Sequence, residues 1–137
     1  MSCKVAYIDS GVLINAFRGV SEVSIKATEI LDDSTRSFAS SVFVQLETLP
    51  KSYYNKQLLE VEFYQTFFDA VSVWATDLNQ IIKIADGIAK NYGLAAMDAL
   101  HIAAAISINA DEFVTTEKVT KPMHRVTEIV VASIASS

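Results

Sequence analysis

Four acidic side chains distributed from one end of the chain to the other, Asp9, Glu47, Asp98 and Glu117, have the most chemistry to offer. Asp98 is the most telling. Residues 94–108 read Leu-Ala-Ala-Met-Asp-Ala-Leu-His-Ile-Ala-Ala-Ala-Ile-Ser-Ile, where only Asp98, His101 and Ser107 are polar. A helix apolar all round is a buried helix. An ionised carboxylate in such a place is costly unless a partner or a metal replaces its lost water. Other groups should therefore converge on Asp98.

Carboxylates that converge without cations repel one another in a low-dielectric cleft, which raises their pKa values. Hard divalent ions remove that difficulty. Two of them about 4 Å apart can drive in-line attack on a phosphodiester, one activating water and the other steadying the leaving oxygen. Lone Cys3 excludes an internal disulfide and a cysteine-cluster metal site, and two histidines far apart in sequence argue against zinc. Oxygen donors should dominate, which favours Mg²⁺ or Mn²⁺.

The elements that must position these acids follow from pattern and punctuation. Lys4–Ile8 is a short β-prone run ending in the turn residues Asp9-Ser10-Gly11. Residues 12–18 and 21–32 suit helices, and 36–39 a short strand. Ser40 or Ser41 can cap the next helix, which runs through Glu47 toward Tyr54, with a kink expected at Pro50. Residues 56–68 are helical and 71–74 a strand. Asp77 caps a helix that stops near Tyr92-Gly93. The Asp98 helix follows, then a strand at Glu112–Thr115 and another over 125–131. Strands alternating with helices imply right-handed crossovers and a parallel sheet covered on both faces. The fold class is α/β, a three-layer arrangement with a mainly parallel sheet of about four or five strands, and residues 1–137 are expected to form one domain.

In open parallel sheets ligands bind outside the carboxyl ends of the strands. Asp9 lies just past the first strand, and Thr115 and Glu117 at the end of the Glu112–Thr115 strand. Asp98 can reach that edge from the start of its helix, and Glu47 from the helix after the second strand. Each has a plainer use: Asp9 and Asp98 as helix caps, Glu47 in an i,i+4 pair with Lys51, Glu117 as a solvated loop acid. Ser10 and Thr115 are supporting candidates, able to orient a carboxylate or water. Asp111 precedes its strand and belongs at the opposite edge. His101, one turn from Asp98, shares its face and reads first as a core residue satisfied by a backbone carbonyl, and second as a hydrogen-bond donor behind the acids. His124 reads as solvated. Lys118 and Lys121 are the best-placed candidates for contacts with substrate phosphates. Phe63, Tyr64, Phe67 and Phe68 occupy neighbouring helical stripes. Core packing explains them first, and an association surface second.

The net charge of −5, from 11 basic and 16 acidic residues, argues against a sequence-independent nucleic-acid coat protein but not against an enzyme whose acids surround metals. At 51% hydrophobic and 20% charged, the composition is that of a folded globule. Met1-Ser2-Cys3-Lys4 leads straight into the first strand, too brief for a cleavable apolar region. The Asp98 run is too short to span a bilayer, so no membrane contact and a cytoplasmic location are expected.

Val-Ala-Tyr-Ile-Asp-Ser-Gly-Val-Leu-Ile (5–14), Glu47 after Ser40-Ser41, Asp-Ala-Leu-His-Ile-Ala (98–103) and Ala-Asp-Glu-Phe-Val-Thr-Thr-Glu (110–117) together resemble the PIN-domain nucleases in order and spacing. The resemblance covers almost the whole chain. It implies a metal-dependent ribonuclease in which Asp9, Glu47, Asp98 and Glu117 hold Mg²⁺ or Mn²⁺. The family's VapC-type toxins are similar in size. They commonly form homodimers and receive a cognate antitoxin peptide near the acidic cleft. Two departures stand out: Glu117 where the family usually has Asp, and Gly11 where it commonly has Asn or a hydroxyl residue. Glu117 keeps alive a rival, a PIN-like interaction protein with a degraded metal site. A phosphoacceptor receiver domain would need an acidic pair in the first turn and a phosphorylatable Asp after a middle strand. Asp9-Ser10-Gly11 and Val-Ser-Val-Trp (71–74) supply neither.

Overall fold

The computed structural model describes residues 3–135. Five parallel strands form one sheet in the order β3-β2-β1-β4-β5, namely β1 (Lys4–Ile8), β2 (Arg36–Ser41), β3 (Val73–Ala75), β4 (Glu112–Thr115) and β5 (Val130–Ser133). Six helices join them: α1 (Ser10–Arg18), α2 (Glu22–Leu31), α3 (Val42–Tyr54), α4 (Leu58–Ala70), α5 (Leu78–Tyr92) and α6 (Ala96–Ser107). The α/β class expected from the alternation is the one observed, and every strand pair is parallel.

The chain steps outward from β1 through β2 to β3 on one side, then returns to place β4 and β5 on the other. Right-handed crossovers therefore put α1 to α4 on one face of the sheet and α5 with α6 on the opposite face. Tyr7, Ile8, Phe113 and Val114, in the middle of the sheet, are fully buried, as parallel strands covered twice must be. Strand order reverses between β1 and β4. Their carboxyl ends open the crevice in which such sheets bind ligands.

Several boundaries differ from the sequence expectation, each for a local reason. Helix α1 begins at Ser10 rather than 12, because Asp9 caps it and accepts a hydrogen bond from the Ser10 N–H at 2.9 Å. Strand β2 runs on to Ser41, whose hydroxyl then caps α3 by accepting from Phe43 N–H at 3.2 Å. Helix α3 continues past Pro50 to Tyr54. Lys56 adopts a left-handed φ of 54°, so α4 starts at Leu58. Strand β3 waits until Val73 because the Val71 N–H is held by Phe68 O, closing off α4. A 3₁₀ turn at Pro122–Arg125, with proline at its start, delays β5 to Val130. Asp77 and Gly93 behave as read: Asp77 accepts from Gln80 N–H at 3.1 Å, and Gly93 ends α5 in the left-handed conformation at φ 71°.

The aromatic face of α4 follows the first of its two readings, core packing, and not the association surface. Tyr64 has no exposed surface, and Phe67 and Phe68 are buried in the main core. Phe63 packs on Phe17 with ring centroids 5.4 Å apart, and Phe67 on Phe38 at 5.7 Å. These rings face their own chain. Helix α4 packs against α3, α1 and the sheet, so it needs a broader apolar surface than one stripe. A buried Glu60 on the same helix is held by Arg18 at 2.9 and 3.0 Å and by the Tyr64 hydroxyl at 2.5 Å, tying α1 to α4.

Candidate functional site

Asp9 leaves the sheet at the carboxyl end of β1. It does two jobs at once: one carboxylate oxygen caps α1 through Ser10 N–H, and the other accepts from Thr115 Oγ1 at 2.8 Å. Thr115, the last residue of β4, is fully buried. Its oxygen in turn accepts from the Glu117 N–H at 3.1 Å. One hydroxyl thus joins the ends of β1 and β4 and starts the turn that carries Glu117. The Glu117 carbonyl accepts from Ser133 Oγ at 2.6 Å and lies 3.0 Å from His124 Nε2, so this acid has a firmly held backbone. His124 is half-buried with a specific contact, rather than solvated as expected.

Glu47 projects from the second turn of α3. Its Oε1 accepts from Ser10 Oγ at 2.9 Å and lies 2.6 Å from His101 Nε2. The alternative i,i+4 partner, Lys51, makes no ion pair with it among the described residues. Asp98 sits half-buried in the first turn of α6, where the helix N-terminus favours a negative charge. Burial, then the nearby charge of Glu117, pushes the Asp98 pKa above its ordinary value, with Glu47 adding to the rise and His101 and Lys121 opposing it. Burial also raises Asp9, against the pull of His101, Thr115 and Ser10. The four acids expected from the sequence therefore influence one another at the carboxyl edge of the sheet.

Ligand-bearing atoms of Asp9, Glu47 and His101 all lie within 4.8 Å of one another. Carboxylate oxygens suit Mg²⁺ or Mn²⁺, with the His101 imidazole held against Glu47 beside them, and the raised carboxyl pKa values mark a place where positive charge would be welcome. Asp98 and Glu117 flank this group through their charges. Of the two lysines expected near RNA, Lys121 is close enough to lower the Asp98 pKa, whereas Lys118 is simply exposed. Asp111 lies at the opposite edge, as expected: its Oδ2 accepts from Val5 N–H at 2.7 Å and its own N–H donates to Val5 O.

Sequence reasoning understated His101. It is 3% exposed, and both ring nitrogens face side chains, with Tyr7 Oη 3.3 Å from Nδ1 and Glu47 at Nε2. The i+3 spacing from Asp98 was the signal that could have raised it. The departure at Gly11 also has a structural counterpart. A Cβ there would collide with the hydroxyl of Thr116, the neighbour of Thr115. Glycine lets α1 approach the end of β4 closely.

The PIN domain family model matches residues 6–126. A sequence search of curated proteins finds no match. Among solved structures the fold is similar to a toxin–antitoxin complex from Klebsiella pneumoniae, with TM-score 0.71, 19% identity, and 96% of this chain and 99% of that one covered. VapBC2 from Rickettsia felis bound to a promoter DNA fragment gives TM-score 0.70 at 15% identity, covering 94% and 98%. DNA-bound VapBC from Salmonella typhimurium gives 0.67 at 15% identity, covering 97% and 99%. At these identities the likeness establishes the fold.

Proposed function

Since the chain belongs to the PIN domain family, we propose that it is a Mg²⁺- or Mn²⁺-dependent endoribonuclease, a hydrolase acting on RNA phosphodiester bonds. The observation that carries this is the meeting of Asp9, Glu47 and His101 within 4.8 Å at the switch point of the sheet, with Asp98 and Glu117 beside them. Asp9, Glu47, Asp98 and Glu117 would hold the metal. A divalent cation held there supplies water activation and neutralisation of phosphate charge.

The chain's own part is positioning. Thr115 fixes Asp9 and the Glu117 turn with one hydroxyl, and Ser10 fixes Glu47. Glu117 has a longer side chain than the aspartate usual in the family. Lys121, within electrostatic reach of Asp98, and Lys118 next to Glu117 meet RNA phosphates as the substrate enters. The similarity to toxin–antitoxin complexes supports the further reading that this is the toxin of such a pair, with a cognate antitoxin protein as partner. No helix among the described residues is long and apolar enough to cross a membrane.

Purified protein incubated with RNA in Mn²⁺ or Mg²⁺ should cleave it, and chelator should stop the reaction. Asp9→Asn and Asp98→Asn should each remove most cleavage while leaving the fold intact, and Asp111→Asn should change little. Full metal-dependent cleavage by the Asp98→Asn protein would refute the proposal. A folded wild type inert with both metals across varied RNAs would favour the interaction-protein rival.

A further inference from the structure

Glu47 stands on the exposed side of α3, where a flexible carboxylate would ordinarily sample several rotamers. It is held instead from behind by a line of buried polar groups. Ser41 and Tyr7 have no exposed surface and His101 has 3%. Ser41 Oγ accepts the Phe43 N–H and lies 2.6 Å from Tyr7 Oη, which is 3.3 Å from His101 Nδ1. His101 Nε2 is 2.6 Å from Glu47 Oε1.

Either a neutral ring protonated at Nε2 or an imidazolium can donate to Glu47, and the roles further along the line follow for the neutral ring. With Glu47 ionised, its oxygen can only accept, so Nε2 must carry the proton. In a neutral imidazole Nδ1 is then an acceptor, and the Tyr7 hydroxyl is the donor beside it. The Tyr7 oxygen is left to accept, and the Ser41 hydroxyl supplies the hydrogen. Ser10 Oγ donates to the same Oε1 from the other side. Oε1 is thus doubly occupied, while Oε2 has no hydrogen-bond partner among the described residues.

We propose that His101 is a positioning residue. Oriented by Tyr7 and Ser41, it binds Glu47 through Oε1 and so presents Oε2 to the divalent cation. This rests on the reading of the acids as a cation site and assigns a role to a residue outside the carboxylate set. A core histidine would turn its polar atoms to nearby backbone. Here both nitrogens are committed to side chains, and one of those chains ends at the site.

Two amide variants separate the ring's two nitrogens, since Gln places its nitrogen near Nε2 and Asn near Nδ1. Mn²⁺ binding to the full chain, measured by titration calorimetry, is the readout. His101→Asn should weaken binding about 10–100-fold, the usual cost of losing a group that orients a metal ligand. His101→Gln, which can still donate to Glu47, should bind much closer to wild type, although both variants melt earlier than wild type in chelator. Tyr7→Phe keeps the ring packing and removes the orienting hydroxyl. It should show a loss smaller than that of His101→Asn, and it remains decisive if either His101 variant fails to fold. Equal losses in Gln and Asn variants, or unchanged binding in Asn or Phe variants, would overturn the proposal. So would a directly bound imidazole ¹⁴N coupling in the electron spin echo of the Mn²⁺ complex. A wild type that binds no Mn²⁺ would bring down the cation-site reading itself, before any variant is compared.

Discussion

Replacing Thr115 by valine asks how much of the site rests on one hydroxyl. Valine fills nearly the same volume, so no cavity forms at this fully buried position. Two hydrogen bonds disappear. The bond to the Asp9 carboxylate at 2.8 Å is of the charge-assisted kind, worth about 1.5–3 kcal/mol. The Glu117 N–H, bonded at 3.1 Å, loses its acceptor at a cost of about 1–3 kcal/mol, toward the low end because Glu117 is only half-buried. Neighbouring terms do not add fully, so a net loss of about 3 kcal/mol is the working figure. With unfolding entropy of about 2.1 cal/mol/K per residue, that loss lowers Tm by roughly 10 °C for a chain of this length.

Thr115→Ser is the matched control. It keeps both hydrogen bonds and removes one buried methyl, a loss of about 1 kcal/mol or roughly 3–4 °C. Calorimetric melting at neutral pH in chelator should therefore rank wild type above serine and serine well above valine. The variant should also respond less to Mn²⁺, most clearly below neutral pH. Burial already raises the Asp9 pKa and the Thr115 hydrogen bond opposes that rise, so its loss lets protons compete with metal up to higher pH. Equal melting of the valine and serine variants, or a valine variant indistinguishable from wild type, would refute this reasoning.

The raised pKa of Asp98 makes a signed forecast for the metal-free protein. The folded state holds that proton more tightly than the unfolded chain, so stability is lost as pH rises from the unfolded value near 3.8 through the folded one. Asp98→Asn should accordingly raise the Tm in chelator at pH 7, with the gap closing toward pH 4. A gap that widens on acidification would contradict it. Tyr64→Glu and Phe68→Glu, which would yield folded monomers if these rings met a partner, should instead unfold the chain by circular dichroism, because each would bury an unpaired charge in the core. Folded variants would return those rings to an association surface.

The strands were legible because parallel strands buried on both faces read as short β-prone runs, and Glu112–Thr115 lies where the sequence puts it. The edge rule then placed Asp9, Thr115 and Glu117 correctly, and it placed Asp111 at the far end. Three features were not legible. The start of α1 depends on an acid that caps and faces the site at once. The aromatic helix looked over-supplied because pattern alone does not reveal that α4 touches α1, α3 and the sheet. The meeting of His101 with Glu47 joins side chains 54 residues apart, and no periodicity within either helix encodes it. His101 shares the Asp98 face by spacing. Which acid it touches is decided by how α6 and α3 pack across β2.

The most direct measurement of the cation site is an anomalous difference map from crystals of the full chain grown with Mn²⁺, recorded at a wavelength that identifies the metal. The expected peak lies at the carboxyl edge of β1 and β4, bound by Asp9 and by Oε2 of Glu47, with Asp98 and Glu117 facing it and Oε1 still bonded to His101 and Ser10. No peak there at saturating Mn²⁺, or a peak confined to other acids such as Asp111, would contradict the assignment of these four carboxylates.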